Sequence, residues 1–125
     1  IIEAEDEKTP DGASVMEEAR IREKEADRIL RHVREDAYVI TLEIAGKSFD
    51  SPEFADKIEK LGIRGISHVQ FIIGGSLGLH EKVCRRSDLA VSFSKMTFPN
   101  QLMRVILLEQ IYRSYRIICG EPYHK

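Results

Sequence analysis

The 125 residues are 42% hydrophobic and 32% charged, a balance that fits one compact domain and excludes disordered and fibrous classes. The longest strongly apolar run, Val105 to Leu108, is four residues, far short of the ~20 that a membrane-spanning helix needs. The net charge of −2 conceals a gradient, with 12 acids against 7 bases in residues 1–36 and 4 acids against 8 bases in residues 74–125.

A basic C-terminal stretch beside an acidic N-terminal one suggests a surface that faces a polyanion. The excess is too small for non-specific duplex binding, in which several phosphates are neutralised at once. Cys84 and Cys119 make no disulfide framework, and His80, four residues before Cys84, has no further ligands at metal spacing. Two reduced thiols, no metal and a cytoplasmic location are therefore expected. The first dozen residues are acidic and polar, unlike a signal peptide. The chain opens on Ile1-Ile2 without a Met, so a missing N-terminal segment is expected before it.

Ile1 to Glu3 reads as the tail of a strand, followed by a polar connection with Pro10 and an Asp11-Gly12 turn signal. Ser14 and Glu17 fit a capping box that opens a helix running to about His32. Ala19, Ala26, Ile29, Leu30 and Val33 form its apolar face, and the Glu- and Arg-rich remainder reads as solvated. Tyr38 to Leu42 is a β-rich run that Ala45-Gly46-Lys47 should end. Ser51-Pro52-Glu53 then starts a helix, with Ser51 as N-cap and Gly62 as its close. Val69 to Ile73 is a second buried strand, Glu81 to Arg86 a short helix, and Leu89 to Phe93 a third strand. The last helix runs from about Pro99 to about Cys119, with Gly120 as C-cap. Its apolar positions cover a face wider than one sheet requires, which predicts a second subunit packed against it.

Alternating strands and helices with continuous apolar strands predict a single α/β domain over residues 1–125, built on a parallel sheet covered on both faces. In such sheets ligands bind at the carboxyl ends of the strands. Three loops then become candidates: after Leu42, from Gly74 to His80, and from Phe93 to Pro99. The Gly74–Gly78 run lets backbone approach a ligand, but it lacks the lysine of a phosphate-binding loop and equally fits a tight turn. The loop Phe93 to Phe98 could clasp a flat ring or tuck its aromatics into the core. Glu109 is placed to pair with Arg113 four residues on, and Arg104, Arg113 and Arg116 either pair with acids or bind phosphate. The tail Tyr123-His124-Lys125 should be extended past Pro122, and its composition suits stacking on a base and contacting a phosphate. Nothing spells a Ser-His-Asp triad or a carboxylate pair.

These same residues carry a resemblance. Phe71 to His80, Ser92 to Pro99, Met103-Arg104-Val105, Glu109-Gln110, Tyr112-Arg113 and Tyr123-His124-Lys125 resemble the ribosomal RNA large subunit methyltransferase H family, over the whole chain. That family belongs to the SPOUT class and methylates a pseudouridine of 23S ribosomal RNA. The resemblance implies an α/β fold with a C-terminal trefoil knot, a homodimer packed through the last helices, and S-adenosylmethionine as cofactor. It also implies a strand and helix preceding Ile1. Carried over by position, cofactor contacts fall on Leu42, Gly74, Phe93, Ser94, Lys95, Met96, Thr97 and Phe98. Where the family commonly has His after the loop proline, this chain has Asn100.

The implied reaction moves a methyl from a sulfonium to a ring nitrogen, position 3 of the pseudouridine, without a metal. His124 is a candidate base, or an RNA contact with no proton role. Tyr123 and Arg104 are further catalytic candidates, while Arg113 and Lys125 are candidates for RNA binding. Two rivals stand beside this reading. A non-catalytic ribosome-associated module would bind the cofactor without transferring methyl to ribosomes. A nucleotide-binding protein using the glycine turn would not bind S-adenosylmethionine.

Overall fold

A computed structural model describes residues 14–74 and 78–124. The expected strand tail at Ile1–Glu3, the connection around Pro10 and the final Lys125 lie outside the described residues. The elements are α1 (Val15–Leu30), β1 (Tyr38–Ser48), α2 (Ser51–Ile63), β2 (Val69–Ile73), α3 (Glu81–Arg86), β3 (Leu89–Ser92) and α4 (Asn100–Ile118). The three strands form one parallel sheet in the order β2-β1-β3, so the α/β class and the parallel direction are as expected. A trefoil knot is not visible among the described residues.

Alternation along the central strand divides the core. Val39 points to one face, where Ala26, Ile72 and Val83 join α1 and α3 to the sheet. Ile40 points to the other, where Leu61 of α2 and Val91 close a second cluster. On the first face Lys82 Nζ pins α3 to α1 through Glu23 at 2.8 Å and Asp27 at 3.5 Å. His80 caps α3, its Nδ1 accepting the Lys82 amide at 3.1 Å. The α1 start is as expected at Ser14, whose Oγ accepts the Glu17 amide, although Glu17 returns its carboxylate to the hydroxyl and not to the backbone. The charged face of α1 is not wholly solvated. Glu25, four residues before Ile29 and therefore at the edge of the apolar face, is buried.

Three boundaries differ from the sequence expectation, each for a local reason. First, β1 does not stop at Ala45. Leu42 and Lys47 both register with Val91, so Glu43 to Gly46 bulge out and pairing resumes beyond them. Gly46 permits this return, because a Cβ there would lie 2.7 Å from the Val91 carbonyl carbon. Second, Asp50 caps α2 in place of Ser51, accepting the Glu53 amide at 2.8 Å while Glu53 accepts the Asp50 amide at 2.9 Å. Ser51 is freed to donate to Gln110 Oε1 at 2.8 Å, tying α2 to α4.

Third, α2 closes at Gly65, not Gly62. Gly65 takes φ +84°, its amide bonds to the Gly62 carbonyl, and the Ile66 amide reaches Leu61. The same motif ends α4 around Gly120 (φ +69°), with Glu121 N–H bonded to the Arg116 carbonyl at 2.8 Å. That turn reverses the chain, so the tail is not extended. It folds back along the C-terminal half of α4, where the Tyr123 ring meets Tyr112 edge-on at 5.0 Å.

Candidate active site

At the carboxyl ends of the strands lies a cavity of about 450 Å³. Its floor is Leu42, the last residue of β1 before the bulge, with its two cross-strand partners Ile73 and Val91. One wall is the β1 bulge with Glu43, Ile44 and Ala45; another is Gly74, Gly78 and Leu79. The loop after β3 closes it with Phe93, Ser94, Met96, Thr97 and Phe98, and α4 contributes Asn100 and Met103. Seven of the eight residues expected to contact a cofactor therefore converge, while Lys95 of the same loop is exposed and does not line the cavity.

Short hydrogen bonds fix this loop. The buried Ser92 hydroxyl donates to the Ser94 carbonyl at 3.1 Å, and Ser94 Oγ accepts the Met96 amide at 2.9 Å. At Gly74 a Cβ would stand 3.0 Å from Leu79 Cγ and 3.1 Å from the Gly78 carbonyl carbon, so glycine keeps the β2 end close to the following turn. Glu43 is the one charged side chain in the wall among the described residues, and sequence reasoning missed it. Its carboxylate accepts from Thr41 Oγ1 at 2.6 Å and from Cys84 Sγ at 3.2 Å. Burial, then the Glu43 contact, pushes the Cys84 thiol up to about 11. An acid that interrupts a β-rich run shortly before a glycine was the available signal.

A second cavity of about 570 Å³ adjoins the first, and Phe93 lines both. It lies between the start of α2 (Phe49, Asp50, Ser51, Pro52, Phe54) and Ile106 and Gln110 of α4, with His124 from the folded-back tail. Phe54 holds Phe93 edge-on at 5.7 Å. Behind His124, Arg113 donates to Glu109 Oε1 from Nε at 2.9 Å and Nη2 at 2.6 Å, the pairing expected from their spacing. That contact raises the guanidinium pKa further, so Arg113 stays charged. Its Nη1 lies 3.1 Å from His124 Nδ1, and its Cζ sits 4.9 Å from the Tyr123 ring centroid. Arg116 pairs with Glu121 and also faces the Tyr112 and Tyr123 rings. Arg104, half-buried near the start of α4, lines neither cavity.

Among the described residues no group of three His, Cys, Asp or Glu could hold a metal ion. No described helix is long and apolar enough to cross a membrane.

The family described as “Predicted SPOUT methyltransferase” matches residues 1–124. The chain belongs to the SPOUT methyltransferase family. Within it, a protein of Clostridium botulinum (strain Kyoto / Type A2) named “Ribosomal RNA large subunit methyltransferase H” is 58% identical over all 125 residues, which cover 79% of that relative. A Bifidobacterium adolescentis protein of the same name is 59% identical with the same coverage. A Methanococcus maripaludis (strain C5) relative, given that name in provisional form, is 62% identical, again over the whole chain and 79% of its own length.

Proposed function

We propose that this protein transfers a methyl group from S-adenosylmethionine to a ring nitrogen, position 3, of a pseudouridine in the 23S ribosomal RNA of the large ribosomal subunit. The observation that carries this reading is the convergence of Leu42, Gly74, Phe93, Ser94, Met96, Thr97 and Phe98 on one cavity at the carboxyl edge of a parallel sheet. The names of the relatives at 57–62% identity support the ribosomal RNA substrate. The reading also assigns the protein to the cytoplasm, where ribosomes are its target.

The cavity suits the cofactor. About 450 Å³ falls within the ~300–1,000 Å³ range of small-molecule sites. Phe93, Met96 and Phe98 offer apolar contact for a purine, and the bare Gly74 backbone allows close approach. S-adenosylmethionine, when bound, supplies a methyl made electrophilic by the sulfonium charge. The protein's own task is then to position two reactants and exclude alternatives. Lys95, exposed within the same loop, is assigned to the outer part of the same ligand. The adjoining cavity would take the base, with Phe49 and Phe93 as apolar walls and His124 at its rim. Tyr123 and Arg104 remain candidates for handling the substrate, and Arg113 and Lys125 for contacting the RNA.

A homodimer completes the proposal. Leu102, Val105, Leu108, Tyr112 and Tyr115 follow one another at helical spacing on α4 and stand 46–61% exposed. An apolar stripe of that length on one helix is the signature of a buried interface. The deciding experiment is transfer of tritiated methyl from S-adenosylmethionine to ribosomes that lack the modification. Label recovered in the large-subunit RNA is expected. Cofactor binding by calorimetry with no label in the RNA would leave a non-catalytic module.

A further inference from the structure

His124 reaches the second cavity with only one ring nitrogen open to a ligand. Its Nδ1 is 3.1 Å from Arg113 Nη1. A guanidinium carries donors and no acceptor, so Nδ1 accepts and the proton of the neutral ring resides on Nε2. Arg113 cannot easily turn away. Two of its nitrogens are held by Glu109 Oε1, its flat face lies on Tyr123, and the Tyr123 hydroxyl donates to that same Glu109 oxygen at 3.3 Å. Among the described residues, Asp50 is the other titratable group lining this cavity, and its Oδ1 is engaged as the cap of α2.

We propose that His124 serves the reaction as a hydrogen-bond donor through Nε2–H and not as the general base, with Arg113 and Glu109 as the positioning residues that fix its tautomer. This rests on the methyl transfer to an imide nitrogen argued above. Such a nitrogen must lose its proton before its lone pair can attack, and the resulting negative charge spreads onto the flanking carbonyl oxygens. A donor aimed at one of those oxygens stabilises the charge as it develops. In the balanced step the imide proton passes to water and the nitrogen pair forms the N–CH₃ bond. The C–S bond breaks with its electron pair left on sulfur, turning the sulfonium into a thioether. His124 keeps its proton throughout.

Two measurements on the full chain test this. In the ¹⁵N spectrum of the labelled protein in alkaline buffer, His124 is expected to carry its proton on Nε2, and Arg113→Gln is expected to erase that preference. In methyl transfer to ribosomes, His124→Ala is expected to lose at least a hundredfold. His124→Gln, whose amide N–H can stand where Nε2–H stood but cannot act as a base, is expected to recover at least tenfold of that loss. Calorimetry with S-adenosylhomocysteine should show the same affinity in both variants, which reports an intact cofactor site. A proton found on Nδ1 overturns the proposal, as does an active protein whose Gln variant is as slow as its Ala variant. An unmodified protein that transfers no methyl at all overturns the functional reading and this proposal together.

Discussion

Gly46 shows how a single missing side chain shapes the wall of the strand-end cavity. A Cβ there would press on β3 backbone, 2.7 Å from the Val91 carbonyl carbon and 2.8 Å from that of Ala90. Backbone locked in strand pairing cannot yield as a side chain can. Gly46→Ala is therefore expected to cost about 2 kcal/mol of stability or more, and to weaken S-adenosylhomocysteine binding by displacing the bulge. Urea unfolding and calorimetry check both; a variant as stable as the unmodified protein would remove the close approach. Cys84 offers a second test. Its thiol titrates near 11 in the folded protein against 9.0 ordinarily, so folding favours the neutral form. The stability it contributes is complete below about pH 9 and is lost as pH rises through about 11. The stability gap between the unmodified protein and Cys84→Ala should narrow across that window. At pH 8, iodoacetamide should label the exposed Cys119 first, and equal rates would count against the burial of Cys84.

Among the elements, the junction between α1 and β1 depends on one side chain from α3. Arg86 Nη2 donates to the carbonyls of Arg34, Glu35 and Ala37 at 2.9, 3.2 and 2.9 Å, and Nη1 reaches Asp88 Oδ2 at 3.3 Å. Asp88 in turn accepts the Val39 amide at 2.8 Å at the head of the central strand. Arg86→Ala would strand the carbonyl of the buried Ala37 and leave those of the exposed Arg34 and Glu35 to water, so a loss of about 1–3 kcal/mol is expected in denaturant unfolding. A loss under about 0.5 kcal/mol would show that water replaces the clamp. This clamp was not legible from residue 86 alone, since the carbonyls it holds lie some fifty positions away. The strands at Tyr38 and Val69 and all four helices were legible, because period and caps are local. The return of β1 at Lys47 and the choice of Gly65 over Gly62 were not. Both depend on what lies across from the residue.

On the scale of the whole molecule, α4 is the element that a single chain leaves half exposed. Leu108 is 46% exposed, so Leu108→Asp should keep the protomer folded while removing apolar contact from the stripe. The unmodified protein is expected to sediment as a dimer at micromolar concentration and the variant as a monomer. An unmodified monomer would sink the shared-interface reading. The strand-end cavity was foreseeable, since the parallel sheet and the resemblance both point to the carboxyl ends of the strands. The cavity of His124 was hidden in the sequence. It arises where residues 49–54, Ile106, Gln110 and a reversed tail meet, and only the left-handed turn at Gly120 brings the tail there.

Phe93 belongs to the walls of both cavities, and that common wall has a thermodynamic corollary. Any occupant that moves the ring on one side changes the free energy of filling the other. Linkage makes the effect reciprocal and equal in size. Titration of one ligand in the presence and absence of the other would measure that coupling, and Phe93→Ala is expected to reduce it.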